Sequence, residues 1–139
     1  MNSVILQLAY RYIRFIFFVF AFIILMRGHN YPGGGFIGGL LAALAIVYKG
    51  FAYSLESVGS QTERSAQWLL GMGLSAIFMS FIPSLITGKS FMTGHWIRLP
   101  FPGDIKLGTP LLFDVGVFLA VAGVTLLFLI SLSKSEAWK

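Results

Sequence analysis

Cysteine is absent from the 139 residues, which excludes disulfides and thiolate metal sites and leaves the compartment unreadable from redox chemistry. Charge is scarce too. Asp, Glu, Lys and Arg make up 11% of the chain, where a water-soluble domain would carry about a quarter. The two histidines and two aspartates are spread over separate segments, giving no nucleophile–base pair and no metal cluster, so an enzyme is not expected, nor is a metal or any other cofactor. Three consecutive glycines stand ahead of an apolar run, but without a Gly-Lys-Ser/Thr ending or a preceding strand they do not make a phosphate cradle. There is no internal repeat of the kind carriers show around a midplane site, which argues against a self-sufficient transporter.

What is plentiful is oil. Hydrophobic residues make up 57% of the chain, and the mean hydropathy is +0.84. The net charge of +5 could suggest nucleic acid, but the ten basic residues are scattered at the ends of apolar runs, as membrane-edge anchors that contact lipid. The composition therefore predicts an all-α membrane protein, a single integral domain over residues 1–139.

Four stretches reach the length that a hydrocarbon core of about 30 Å demands, at about residues 4–26, 36–53, 66–87 and 110–133. The first has Gln7, Arg11 and Arg14 on one side of its first half, and Met26-Arg27-Gly28-His29 offers no small-residue cleavage site, so it reads as a retained span. Thr62-Glu63-Arg64 looks like a helix start after a polar link. In the third span Gly71 and Ser75 suggest a small-residue packing strip, and Pro83 predicts a kink or local break near its end. Residues 88–109, with Trp96 and two prolines, read as an ordered loop in the interface, where His95 and Arg98 would meet headgroups or other subunits. Thr109 suits the N-cap of the fourth span and Pro110 its first turn.

Two features stand out. The first is Gly28-His29-Asn30-Tyr31-Pro32-Gly33-Gly34-Gly35-Phe36-Ile37-Gly38-Gly39-Leu40, a glycine-rich turn between the first two spans. His29 can titrate near neutrality and Asn30 can donate and accept. Gly34, Gly38 and Ala42 recur every four residues, as do Gly35, Gly39 and Ala43, giving two smooth strips for close helix approach. The second is Asp114, one turn inside the fourth span. A carboxylate there must face protein or water, either as a packing or capping hydrogen bond or as a handler of ions or protons. Gly116, Ala120 and Gly123 form a small strip on the other side of that helix, so two of its sides are expected to face protein.

With four spans, both termini share a side with the polar link, and His29, Asn30, His95, Asp104 and Asp114 gather toward the other. Basic residues divide six against four between the two sides, which leans to cytoplasmic termini.

Together with Gly108-Thr109-Pro110-Leu111-Leu112-Phe113-Asp114-Val115-Gly116-Val117, the glycine motif resembles the small B subunits of Mrp/Mnh-type multisubunit sodium/proton antiporters, which are related to the membrane arm of respiratory complex I. The resemblance covers almost the whole chain. It implies an accessory subunit, in a prokaryotic plasma membrane, of an assembly with companions of A, C, D, E, F and G type that exchanges Na+ or another monovalent cation for H+. His29, Asn30, Pro32, Gly33, Gly34, Gly35, Phe36 and Asp114 are the motif positions it ties to function, with Asp114, His29 and Asn30 as ion-path candidates and Gly38, Gly39 and Gly116 as packing positions. A structural subunit of a membrane-bound hydrogenase, or of another complex I-related machine, is the alternative, which neighbouring genes would separate.

Overall fold

The computed structural model describes residues 4–28, 34–53, 60–88, 93–98 and 106–136. Among the described residues there are four helices: α1 (Val4–Arg27), α2 (Gly34–Ala52), α3 (Ser60–Ile86) and α4 (Thr109–Glu136). Three contain segments long and apolar enough to cross a membrane, Ile5–Arg27, Gln61–Ile86 and Thr109–Lys134; the apolar part of α2, Gly34–Gly50, is shorter. The third helix starts at Ser60, earlier than its apolar run, because the polar turn around Glu63 is itself helical and pairs with Lys134 near the end of α4, 2.5 Å away. It also continues through Pro83 to Ile86, and just beyond its end the Thr87 amide and hydroxyl both donate to the Pro83 carbonyl, at 3.1 and 2.8 Å.

The contacts set the directions. Gly38 of α2 lies against the Ala21 carbonyl of α1, while Tyr48 and Tyr53 near the far end of α2 meet Tyr10 near the start of α1, so the two run antiparallel. Gly73 lies against Gly116 and Ala120, and Gly123 against Ala66, so α3 and α4 are antiparallel as well. Gly35 faces Asp114 and Gly39 faces Phe118, which makes α2 parallel to α4. The packing sequence is α1, α2, α4, α3, with Ala43, Ala66 and Leu126 of the last three closing a small buried cluster.

The fourth helix does have two protein-facing sides, but both are filled from within the chain: α2 covers the side of Asp114, Val117 and Val121, and α3 the side of Gly116, Ala120 and Gly123. A helix boxed in this way needs no neighbouring subunit to explain it. The small strip of α3 is also displaced from the expected one. A Cβ on Gly71 would meet open space and Ser75 is exposed; Ala66, Gly73 and Ser80, seven apart, are buried, as is Ser84.

The connection between α3 and α4 is not wholly irregular. Trp96–Arg98 (β1) and Lys106–Gly108 (β2) pair antiparallel, Trp96 opposite Gly108, adding a two-stranded ladder to the four helices among the described residues. The Trp96 ring lies over Gly108, where a Cβ would come within 2.7 Å of it, so glycine there makes room for the indole. Thr109 holds this hairpin rather than capping the helix: its hydroxyl accepts the His95 N–H at 3.2 Å, and its own N–H donates to the His95 carbonyl at 3.0 Å.

Candidate functional site

The candidate site is built at the corner where α1 ends and α2 and α4 begin. Gly28 closes the last turn of α1, its N–H donating to the Leu25 carbonyl at 3.1 Å. Across the corner stands Gly34, the first residue of α2. The two meet backbone to backbone: a Cβ on either would land on the Cα of the other, so only a residue without a side chain fits on each face of the crossing. The end of α1 and the start of α2 are thus in direct backbone contact.

Asp114 occupies the third side of this corner. Its carbonyl oxygen abuts Gly35, and its Oδ2 is 3.3 Å from the place a Gly28 Cβ would take. The residue is half-buried and is not left without a partner. Beyond it the α2–α4 seam stays narrow, since a Cβ on Gly39 would lie 2.6 Å from the Phe118 carbonyl and 3.0 Å from Val121 Cβ. Gly38 turns to α1, 2.9 Å from the Ala21 carbonyl by the same measure. In lipid such close approach replaces the hydrophobic effect as the source of helix cohesion.

The structure therefore brings Gly34, Gly35, Gly38, Gly39 and Asp114 into one neighbourhood, with the smooth strips used on the chain's own α1 and α4. Gly116 belongs to the separate α3–α4 seam, buried against Gly73 and Ile77. Phe36 points away, 56% exposed. His29, Asn30, Pro32 and Gly33 lie outside the described residues, as does Asp104. His95 is placed instead by α3 and α4, its Nε2 3.2 Å from the Thr87 hydroxyl and its backbone bonded twice to Thr109. Among the described residues no group of three or more His, Asp or Glu gathers where a metal ion could be held.

Three contributors do not stand out from sequence. Gly28 is part of the motif without being marked as a site residue, and its pairing with Gly34 is visible only in three dimensions. Gly73 is signalled by the sevenfold spacing of Ala66, Gly73 and Ser80. Ser84, 1% exposed, donates to the Thr93 carbonyl at 2.8 Å and so ties the hairpin segment to α3; nothing in its own spacing announces that.

A carboxylate is an acceptor when ionised and a donor when protonated, so one held at a helix crossing within an apolar bundle can bind and release a proton or a small cation. Comparison with known proteins agrees with a transport setting. Residues 5–127 match the family described as a domain related to the MnhB subunit of Na+/H+ antiporter. The B subunit of a Na+/H+ antiporter from Bacillus subtilis is 35% identical over 97% of this chain and 96% of its own length. The corresponding B subunit from Alkalihalophilus pseudofirmus is 28% identical over 97% of this chain and 95% of its own. The chain belongs to the MnhB family of antiporter-subunit domains.

Proposed function

We propose that the protein is the B subunit of a multisubunit Na+/H+ antiporter in a prokaryotic plasma membrane, an accessory component that acts with companion subunits. The end-to-end similarity to antiporter B subunits carries this reading. All four helices cross the membrane in it: the 19 residues of α2 span about 28 Å, close to the thickness of the hydrocarbon core. The termini face the cytoplasm, on the side with more of the basic residues.

Within the assembly, Asp114 lines a polar path that opens at the Gly28–Gly34 corner, with His29 and Asn30 in the connecting turn as further groups on it. What supports this is a carboxylate held against the two glycines that bracket the turn, in a chain otherwise poor in intramembrane charge. Asp114→Asn keeps the size of the side chain and removes the charge, so it separates ion handling from packing. In everted vesicles carrying the full set of subunits, Asp114→Asn should cut Na+-driven proton movement roughly tenfold or more while the complex still migrates intact on a native gel. His29→Ala should have a smaller effect. Full activity of both variants in normally assembled complexes would remove the ion-path role and leave a purely structural subunit.

A further inference from the structure

At the opposite end of the helices from Asp114, a groove of about 760 Å3 opens beside the first half of α1 and the end of α2. Its walls include Arg11 and Arg14, the rings of Tyr10 and Tyr53, and Phe15 and Phe18. We infer that this groove binds an anionic phospholipid, the phosphate held by Arg11 and Arg14 and an acyl chain lying along Phe15 and Phe18.

The cationic part is organised in advance. Arg14 donates from Nη1 to the Tyr10 hydroxyl at 3.1 Å, and its guanidinium carbon stands 5.8 Å from the centroids of both the Tyr10 and Phe18 rings. Tyr10 is itself buried and wedged by Tyr48, 6.3 Å away and stacked, and by Tyr53, 5.7 Å away and edge-on. One guanidinium N–H is thereby used and the fork is fixed in direction, which favours a second, bidentate partner such as a phosphate. Arg11 lies one helical turn earlier and is exposed, at a spacing that lets two side chains share one anion. Among the described residues neither arginine meets a carboxylate.

The apolar part selects the class of anion. A free phosphate would use the arginines and leave the phenylalanines idle. Phe15 is 70% exposed, and Arg14 directly precedes the apolar centre of α1, so the groove spans the depth from headgroup to upper acyl chain. An amphiphile with a negative head and a hydrocarbon tail matches both halves. Tyr10 and Tyr53 line the same groove, as amphipathic rings favour the membrane interface.

The test uses the full chain extracted with its companion subunits in mild detergent, offered equal amounts of phosphatidylglycerol and phosphatidylcholine and examined by native mass spectrometry. The wild-type protein should retain phosphatidylglycerol in preference. Arg11→Gln, at an exposed position, should weaken retention about fivefold and the Arg11→Gln/Arg14→Gln pair about thirtyfold, as loss of one and two basic groups near a charged surface implies. Lys49→Gln, which removes an exposed charge of α2 outside the groove, should leave retention unchanged. Equal retention of the two lipids, or undiminished retention in Arg11→Gln, would overturn the assignment. So would a photoreactive residue in place of Phe15 that captures a companion subunit instead of lipid. Antiport is measured separately, so failure here leaves the antiporter-subunit reading standing.

Discussion

Two glycines of α3, two residues apart, live in different worlds. Gly73 is pressed so closely on α4 that a Cβ would strike the Ala120 backbone and come within 2.7 Å of the Gly116 carbonyl; a Cβ on Gly71 would meet nothing within 4 Å. The inner face, Ala66, Gly73, Ser80 and Ser84, is buried, while Trp68, Met72, Phe78 and Met79 on the outer face are at least half exposed. The most buried positions of the helix are thus its smallest residues and the most exposed its largest, the reverse of a soluble helix. Where the solvent is hydrocarbon, bulky apolar groups gain little by turning inward, whereas backbone proximity gains dispersion and tight packing.

The sharpest way to break this contrast is to enlarge Gly73. Gly73→Leu would push four carbons into a seam with no room for one, and the neighbour to be displaced is helix backbone rather than a pliable side chain. The chain should lose at least about 3 kcal/mol, enough to lower its denaturation midpoint in detergent sharply and to deplete the assembled complex on a native gel. An unchanged midpoint would mean that α3 and α4 do not cross there.

A smaller effect on the same face is expected from Ser84→Ala. The Ser84 hydroxyl bridges α3 to the Thr93 carbonyl at 2.8 Å in a site that is 1% exposed. Removing it should destabilise the chain by about 1 kcal/mol and, more tellingly, speed proteolysis in the segment around Thr93 while leaving the helices protected. Equal protection in the variant would show that the hairpin is held mainly by the Thr109–His95 bonds.

Much of this architecture is legible in the string, and the parts that are not have physical causes. Apolar runs locate the helices because length against hydrocarbon thickness is a nearly one-dimensional constraint. The paired strips Gly34–Gly38 and Gly35–Gly39 can be read at helical spacing, and the structure shows which neighbour each meets: α1 for the first, α4 for the second. For α3 the Gly71–Ser75 strip misleads, because its spacing and that of Ala66–Gly73–Ser80 are both compatible with a helix face, and only the position of Gly116 and Gly123 opposite decides between them. The ladder Trp96–Arg98 with Lys106–Gly108 escapes sequence reading, since three-residue strands are too short for alternation to show. Counting spans puts Asp114 on the same side as the glycine turn, but its contact with Gly28 joins positions far apart along the chain, which helical spacing does not reveal.

The least disruptive test lies on the outer face. Gly71 sits in mid-helix with open space around it, and its carbonyl accepts the Ser75 hydroxyl at 2.8 Å, a contact that a methyl group on the Cα does not disturb. Alanine there restricts the unfolded backbone and favours the helix, so Gly71→Ala should raise the midpoint of the detergent-solubilised chain by the equivalent of about 0.5–1 kcal/mol. The same substitution at Gly73 should lower it, giving opposite signs from one chemical change two residues apart. The assembled complex sharpens the comparison further. If lipid alone meets the outer face, Gly71→Ala stabilises the complex as it does the chain. If the complex loses stability while the isolated chain gains it, the open space around Gly71 is filled there by a helix of a companion protein, and the contrast between the two glycines holds for the chain on its own and disappears in the assembly.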